Sequence, residues 1–162
     1  MFNFFTKKPS SDDELISSEL FDEKTFYKKF ISDLQNCQTE VIIESPFITS
    51  KRMKVLFPIF VKLINRKVKI YIVTRNPLEH EGKYIFESEL EIQRFENSGI
   101  QVLLCKGNHH RKLAIIDRQI LWEGSLNILS QLNSSEIMRR INSYTITLDM
   151  IRFLTYSTEL ER

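Results

Sequence analysis

Residues 107–127 read "GNHHRKLAIIDRQILWEGSLN". The apolar run Leu113–Ile116 marks a strand, and "QILWEGS" (119–125) follows it almost at once, so the two pair as a tight hairpin. Side chains alternate faces along a strand, so His110 and Lys112 project to the same side. Asp117 then falls at the hairpin turn, and "GSLN" (124–127) lies beside the start of the first strand. Gly124 permits close backbone approach there, and it delivers the Ser125 hydroxyl and the Asn127 amide to the neighbourhood of His110 and Lys112. An imidazole, an ammonium and neutral donors converging at one sheet end describe a phosphate site. Of these groups only the histidine attacks or transfers protons near neutral pH.

The rest of the chain fits an α/β domain around this hairpin. Phe26, Phe30 and Leu34 recur every four residues and predict an amphipathic helix near 23–35. "EVIIES" (40–45) and "VKIYIVT" (68–74) read as strands, the second buried on both faces. A helix lies within 50–65, with Val55, Ile59 and Leu63 on one face, and Pro58 should kink it or open a new first turn. Residues 85–99 form another helix capped by Gly99, then "IQVLLC" (100–105) gives a strand. "SEIMRRI" (135–141) is a further candidate strand, and the chain closes as a helix. Helices and strands alternate early and the hairpin comes late, which predicts a mixed β-sheet sandwiched between helices.

Composition sets limits. The 162 residues are 42% hydrophobic and 27% charged, with net charge +2, ordinary for one soluble domain. A chain of this length buries roughly 70% of its unfolded surface and needs no disulfide or metal to fold. Cys37 and Cys105 form no CxxC, so a zinc site is not expected. Residues 1–22, polar and centred on "KKPSSDDE", read as a flexible N-terminal arm ahead of a single domain over 23–162. No segment has the length of a membrane span or the pattern of a signal peptide, and a cytoplasmic location is the default expectation.

His110-x-Lys112-x4-Asp117-x6-Gly124-Ser125-x-Asn127 resembles the HxKx4Dx6GSxN signature of the phospholipase D superfamily. At one chance in twenty per fixed position, six such positions arise by accident in about one chain in a million. The resemblance implies that His110 is a nucleophile forming a covalent phosphohistidine. Lys112 and Asn127 would bind phosphoryl oxygens, and Ser125 would help shape that pocket. Glu136 would accept a hydrogen bond from the imidazole and fix its tautomer. Asp117 would brace the hairpin. The family's reaction needs no metal or cofactor.

Many members of that superfamily carry two motifs, and this chain has one. The chemistry needs one neutral and one protonated imidazole, so the resemblance implies a homodimer with one shared site. Single-motif dimers of this kind are typically nucleases, which makes DNA or RNA the expected partner. The alternatives are a nucleic-acid-binding or targeting module serving a helicase or repair protein, and a lipid phosphodiesterase. The last lacks a basic amphipathic helix for a membrane surface.

Several cations flank the motif. Lys106 and Arg111 are solvated charges or holders of neighbouring phosphates. Arg75, at a strand end, has the same two readings, as has "SKRMK" (50–54). Of Arg139 and Arg140, alternation places Arg140 on the face of Glu136 and makes it the better phosphate candidate. His109 is read as a bystander, and Trp122 and Phe57 as core or dimer interface.

Overall fold

A computed structural model describes residues 16–82 and 84–157. In chain order the elements are β1 (Ser17–Asp22), α1 (Phe26–Asn36), β2 (Glu40–Glu44), α2 (Ser50–Asn65) and β3 (Lys69–Arg75). A short 3-10 turn (Pro77–Glu79) leads to α3 (Tyr84–Asn97), β4 (Gln101–Cys105), β5 (Leu113–Ile116), β6 (Ile120–Gly124), β7 (Ile137–Asn142) and α4 (Tyr144–Ser157). The seven strands form one sheet in the order β1-β7-β6-β5-β2-β3-β4. β2, β3 and β4 run parallel, and β5, β6, β7 and β1 continue antiparallel from β2. This is the mixed, helix-covered sheet that the alternation of elements predicts.

The two faces are covered unequally. The crossovers β2-α2-β3 and β3-α3-β4 step in the same direction across the sheet. A common handedness therefore puts α2 and α3 on one face, where α1 joins them. Phe26, Phe30 and Leu34 of α1, Leu56, Phe60 and Leu63 of α2, and Ile92 and Phe95 of α3 pack there on Ile43, Ile72 and Trp122. On the other face, among the described residues, α4 covers Leu113, Ile115, Leu121 and Ile141 through Ile146, Met150, Ile151 and Leu154. No helix among the described residues is long and apolar enough to cross a membrane.

Two expectations change. The N-terminal arm does not extend to residue 22, because Ser17–Asp22 is an edge strand paired antiparallel with β7 from Ser17↔Asn142 to Asp22↔Ile137. An edge strand with one solvated face has little apolar signal. Phe21 is its one inward apolar side chain, its ring 5.0 Å from that of Trp122. Residues 1–15 of the expected arm lie outside the described residues. Pro58 opens no new helix, since α2 runs unbroken with Pro58 on its exposed side, where water can satisfy the carbonyl it frees. The buried residues of α2 are Met53, Leu56, Phe57, Ile59, Phe60 and Leu63, so of the expected face Ile59 and Leu63 are buried and Val55 faces out.

The register gathers one set of termini. Glu44 is opposite Leu113, Arg75 opposite Cys105, Leu113 opposite Glu123, and Gly124 opposite Met138. The carboxyl ends of β2, β3, β4 and β6 therefore meet the approaches to β5 and β7 at one sheet end. In open α/β sheets, the carboxyl ends of parallel strands are where ligands bind.

Candidate active site

His110 sits in the loop just before β5, exposed, with its ring centroid 6.0 Å from that of Phe47 in an edge-on contact. Partial burial, then the charges of Lys112, Arg75 and His109, hold its pKa below the ordinary histidine value. Its imidazole is thus biased toward the neutral form that has a free lone pair. The Lys112 ammonium donates to the His110 carbonyl at 2.6 Å. Burial lowers the Lys112 pKa, and the nearby Glu136 carboxylate opposes that effect.

The return strand completes the corner. The Ser125 N–H donates to the Ile137 carbonyl at 3.0 Å, and the Ser125 hydroxyl accepts from the Ile137 N–H at 3.1 Å. The same hydroxyl donates to Glu136, whose other carboxylate oxygen accepts from Ser134 at 2.6 Å. Among the described residues no hydrogen bond joins Glu136 to His110. The Glu136 carboxylate is satisfied by two serine hydroxyls, and its link to the site runs through Ser125 and the field at Lys112. The Asn127 carbonyl accepts from Ser130 and Gln131 at 3.0 and 2.7 Å, which starts the tight turn of the 127–134 loop.

Gly124 is dictated by packing. A Cβ built there meets the Ile137 carbonyl far inside van der Waals contact and lies 2.9 Å from the Met138 Cα. Gly124→Ala must therefore push β6 off β7, carrying Ser125 and Asn127 with it. Overpacking of this kind should cost about 3 kcal/mol, read as a lower midpoint in urea unfolding.

Asp117 lies at the far end of β5. Its carboxylate accepts from the backbone N–H groups of Gln38, Thr39 and Glu40 at 2.8, 2.7 and 3.1 Å and from the Thr39 hydroxyl at 2.8 Å. Burial raises its pKa, and these four donors outweigh burial and hold it below the usual carboxylate range. Asp117 and Arg118 take φ of 52° and 54°, and the Gln119 N–H returns to the Ile116 carbonyl at 3.0 Å. Positive φ at both central positions is the type I′ turn that suits strand twist.

The flanking cations separate. Arg140 is not at the site. It is 8% exposed and pairs in the core with Asp33, through Nε at 2.7 Å and Nη2 at 3.1 Å. Glu136 precedes β7, which begins at Ile137, so strand alternation does not reach from it to Arg140. Arg139 faces the site instead. It shares with His110, Lys112, Glu123, Ile137 and Phe153 a groove of about 480 Å³ beside α4. Arg75 is engaged by Glu79, with Nη2 2.9 Å from the Glu79 carbonyl, yet it is near enough to act on His110. Lys106 is exposed. Arg52 of "SKRMK" lies over the Tyr27 ring at 3.7 Å and donates to the Gln131 carbonyl.

Arg111 and His109 share a partner that the motif does not include. Glu44, 1% exposed at the end of β2, accepts from the Arg111 Nε at 2.7 Å, and its same oxygen makes an ion-pair contact with the His109 Nε2 at 2.7 Å. Both chain neighbours of His110 are thereby anchored to one buried carboxylate. The sequence signal is an acid that follows directly on the apolar run of "EVIIE". Interaction with Cys105, then with Glu44, raises the His109 pKa from 6.5 to about 9 against the effect of burial. A folded-state pKa above the unfolded value stabilises the fold fully below about pH 6.5, and that stabilisation is lost as pH rises through 9. Thermal melts should show the wild type losing stability over that window, with the slope reduced in His109→Gln.

Comparison with known proteins places this geometry. The profile of the family described as "Cardiolipin synthase, PLD-like domain" matches residues 30–152. The chain belongs to the phospholipase D superfamily. Among solved structures, NucT from Helicobacter pylori is similar at TM-score 0.70 and 19% identity, covering 87% of this chain and 94% of NucT. The phospholipase D family member Nuc from Salmonella typhimurium gives TM-score 0.71 and 18% identity, covering 91% and 99%. Phosphatidylserine synthase from Haemophilus influenzae gives TM-score 0.69 and 13% identity, covering 90% of this chain but 40% of that enzyme. At these identities the likeness shows a shared phospholipase D fold. No curated protein sequence matches the chain at a significant level.

Proposed function

We propose that the protein is a metal-independent nuclease working through a phosphohistidine at a site shared by two subunits. The observation that carries this reading is the motif corner itself. His110, biased toward its neutral form, stands beside Lys112 at the mouth of a groove, and Gly124, whose N–H donates to the Lys112 carbonyl, leads the chain into Ser125 and Asn127. One ring nitrogen of His110 attacks phosphorus, and the P–O bond to the leaving alcohol breaks. The leaving oxygen takes a proton from the partner subunit's His110. Water then attacks phosphorus, gives its proton to the partner subunit's His110, and the P–N bond breaks to restore neutral His110. Lys112 and Asn127 hold the non-bridging oxygens through both steps.

The two imidazoles titrate as a coupled pair, so one stays neutral while the other is charged. The groove that holds His110 also supports pairing of subunits. Its rim exposes Leu20, Ile137 and Phe153 at 57%, 53% and 59%, a contiguous apolar surface beside the site. Such surfaces mark interaction faces.

Hydrolysis of oligonucleotides should persist in excess EDTA. Subunit mixing tests the shared site: wild type refolded with increasing His110→Ala subunits should lose activity as the square of the wild-type fraction. A linear loss would show that each subunit carries its own complete site and would sink this reading.

A further inference from the structure

A second cavity adjoins the motif corner and is unlike the groove. It holds about 280 Å³ and is lined by Phe47, Thr49, Asn127, Ser130, Gln131 and Asn133, with Leu132 and Ser134. Three of these residues tie it to the reacting centre. Phe47 is the ring against His110, Asn127 belongs to the motif, and Ser134 donates to Glu136. None of the lining side chains carries a charge.

The cavity is built rather than incidental. The Tyr27 hydroxyl donates to the Ile128 carbonyl at 2.8 Å, and the Leu129 N–H donates to the Ser45 hydroxyl at 3.2 Å. The Thr49 N–H donates to the Leu129 carbonyl at 3.0 Å, and Arg52 donates to the Gln131 carbonyl at 2.7 Å. The Gln131 amide spans the loop to Ser134 at 2.9 Å. Inside this frame the Asn127 Oδ1 is shielded from solvent and has no hydrogen-bond partner among the described residues. A buried acceptor left open is unfavourable unless a ligand supplies the donor.

We infer that this cavity receives the nucleobase next to the scissile phosphate. The inference rests on the nuclease reading above and specifies its substrate as nucleic acid with unstacked bases. A second phosphate would need cations in the lining, and there are none. A quaternary ammonium headgroup would need a carboxylate or several aromatic rings, and the cavity offers one ring. A base matches on each count: it is neutral, its face meets Phe47, and its ring or exocyclic N–H can reach Asn127. Entry requires the base to leave its stack, so duplex substrate is disfavoured.

The test compares a single-stranded oligonucleotide with one of equal charge whose residues are abasic. Wild type should cleave the normal strand with kcat/KM about tenfold above the abasic strand, in keeping with base–aromatic stacking. Leu132→Trp, at an exposed rim position that tolerates a larger side chain, should bring the normal strand down to the abasic rate and leave the abasic rate unchanged. That unchanged rate reports that the variant is folded. Equal wild-type rates on the two strands, a preference that survives Leu132→Trp, or duplex cleaved as fast as single strand would each overturn the base pocket while the nuclease reading stands. Cleavage of neither strand would remove the nuclease reading, and the pocket with it.

Discussion

His110→Ala should reduce phosphodiester hydrolysis by about 10⁴-fold or more, because removing a nucleophile removes the covalent route as a unit. The loss should fall on kcat, since Lys112 and Asn127 still hold the phosphate. Reactions quenched in alkaline detergent, in which a P–N bond survives, with substrate labelled at phosphorus should leave label on the wild-type chain and none on the variant. His109→Gln supplies the contrast. It removes a cation from the neighbourhood of His110 and one contact to Glu44, so its loss should be within about tenfold, the scale of a pKa shift near one unit. Equal damage from both variants would mean that the motif histidine has no special role.

Asp33→Ala should produce the largest loss of stability, about 3–5 kcal/mol, because it leaves a buried guanidinium with only the exposed Glu19 carboxylate at 3.6 Å. Asp33 is 4% exposed and binds Arg140 through both oxygens, the Trp122 Nε1 at 3.0 Å, and the Lys29 ammonium at 2.9 Å. One carboxylate thus fixes α1 to β6 and β7 beneath the aromatic cluster of Phe26, Phe30 and Trp122. Urea unfolding reads the loss. Adding Arg140→Met to Asp33→Ala should recover part of it, since the buried charge goes, and a double-mutant cycle separates the pair from the packing. A loss below about 1 kcal/mol would place Arg140 in solvent contact after all.

The legible parts of this fold are those with strong local periodicity. The β5–β6 hairpin, the two parallel crossovers and α1 all follow from apolar spacing and from turn residues. The illegible parts depend on partners remote in sequence. Ser17–Asp22 is a strand only because β7 offers an edge. Arg140 resembles a surface cation until Asp33, 107 residues away, is known to be buried beside it. At the site, the motif spacing reads His110, Lys112 and Gly124 as neighbours, and the three line one groove. It carried no sign of Glu44, since a single acid at a strand end reads as a solvated terminus. Nor did it show the serine hydroxyls that occupy Glu136, because hydroxyl rotors leave no spacing rule.

The turn between β5 and β6 bears on how the chain folds. Asp117 and Arg118 both hold left-handed backbone, which an L-residue adopts at a cost. The compensating donors at Gln38, Thr39 and Glu40 lie 77 to 79 residues earlier. The hairpin bearing the histidine is therefore incomplete as a local unit, and a long loop must close before its turn is secured. Contacts of that separation slow folding. The strand that presents the nucleophile consequently orders only after the first third of the chain has docked against it. Pulse-labelled amide exchange during refolding should find Leu113–Ile116 protected no earlier than Val41–Glu44.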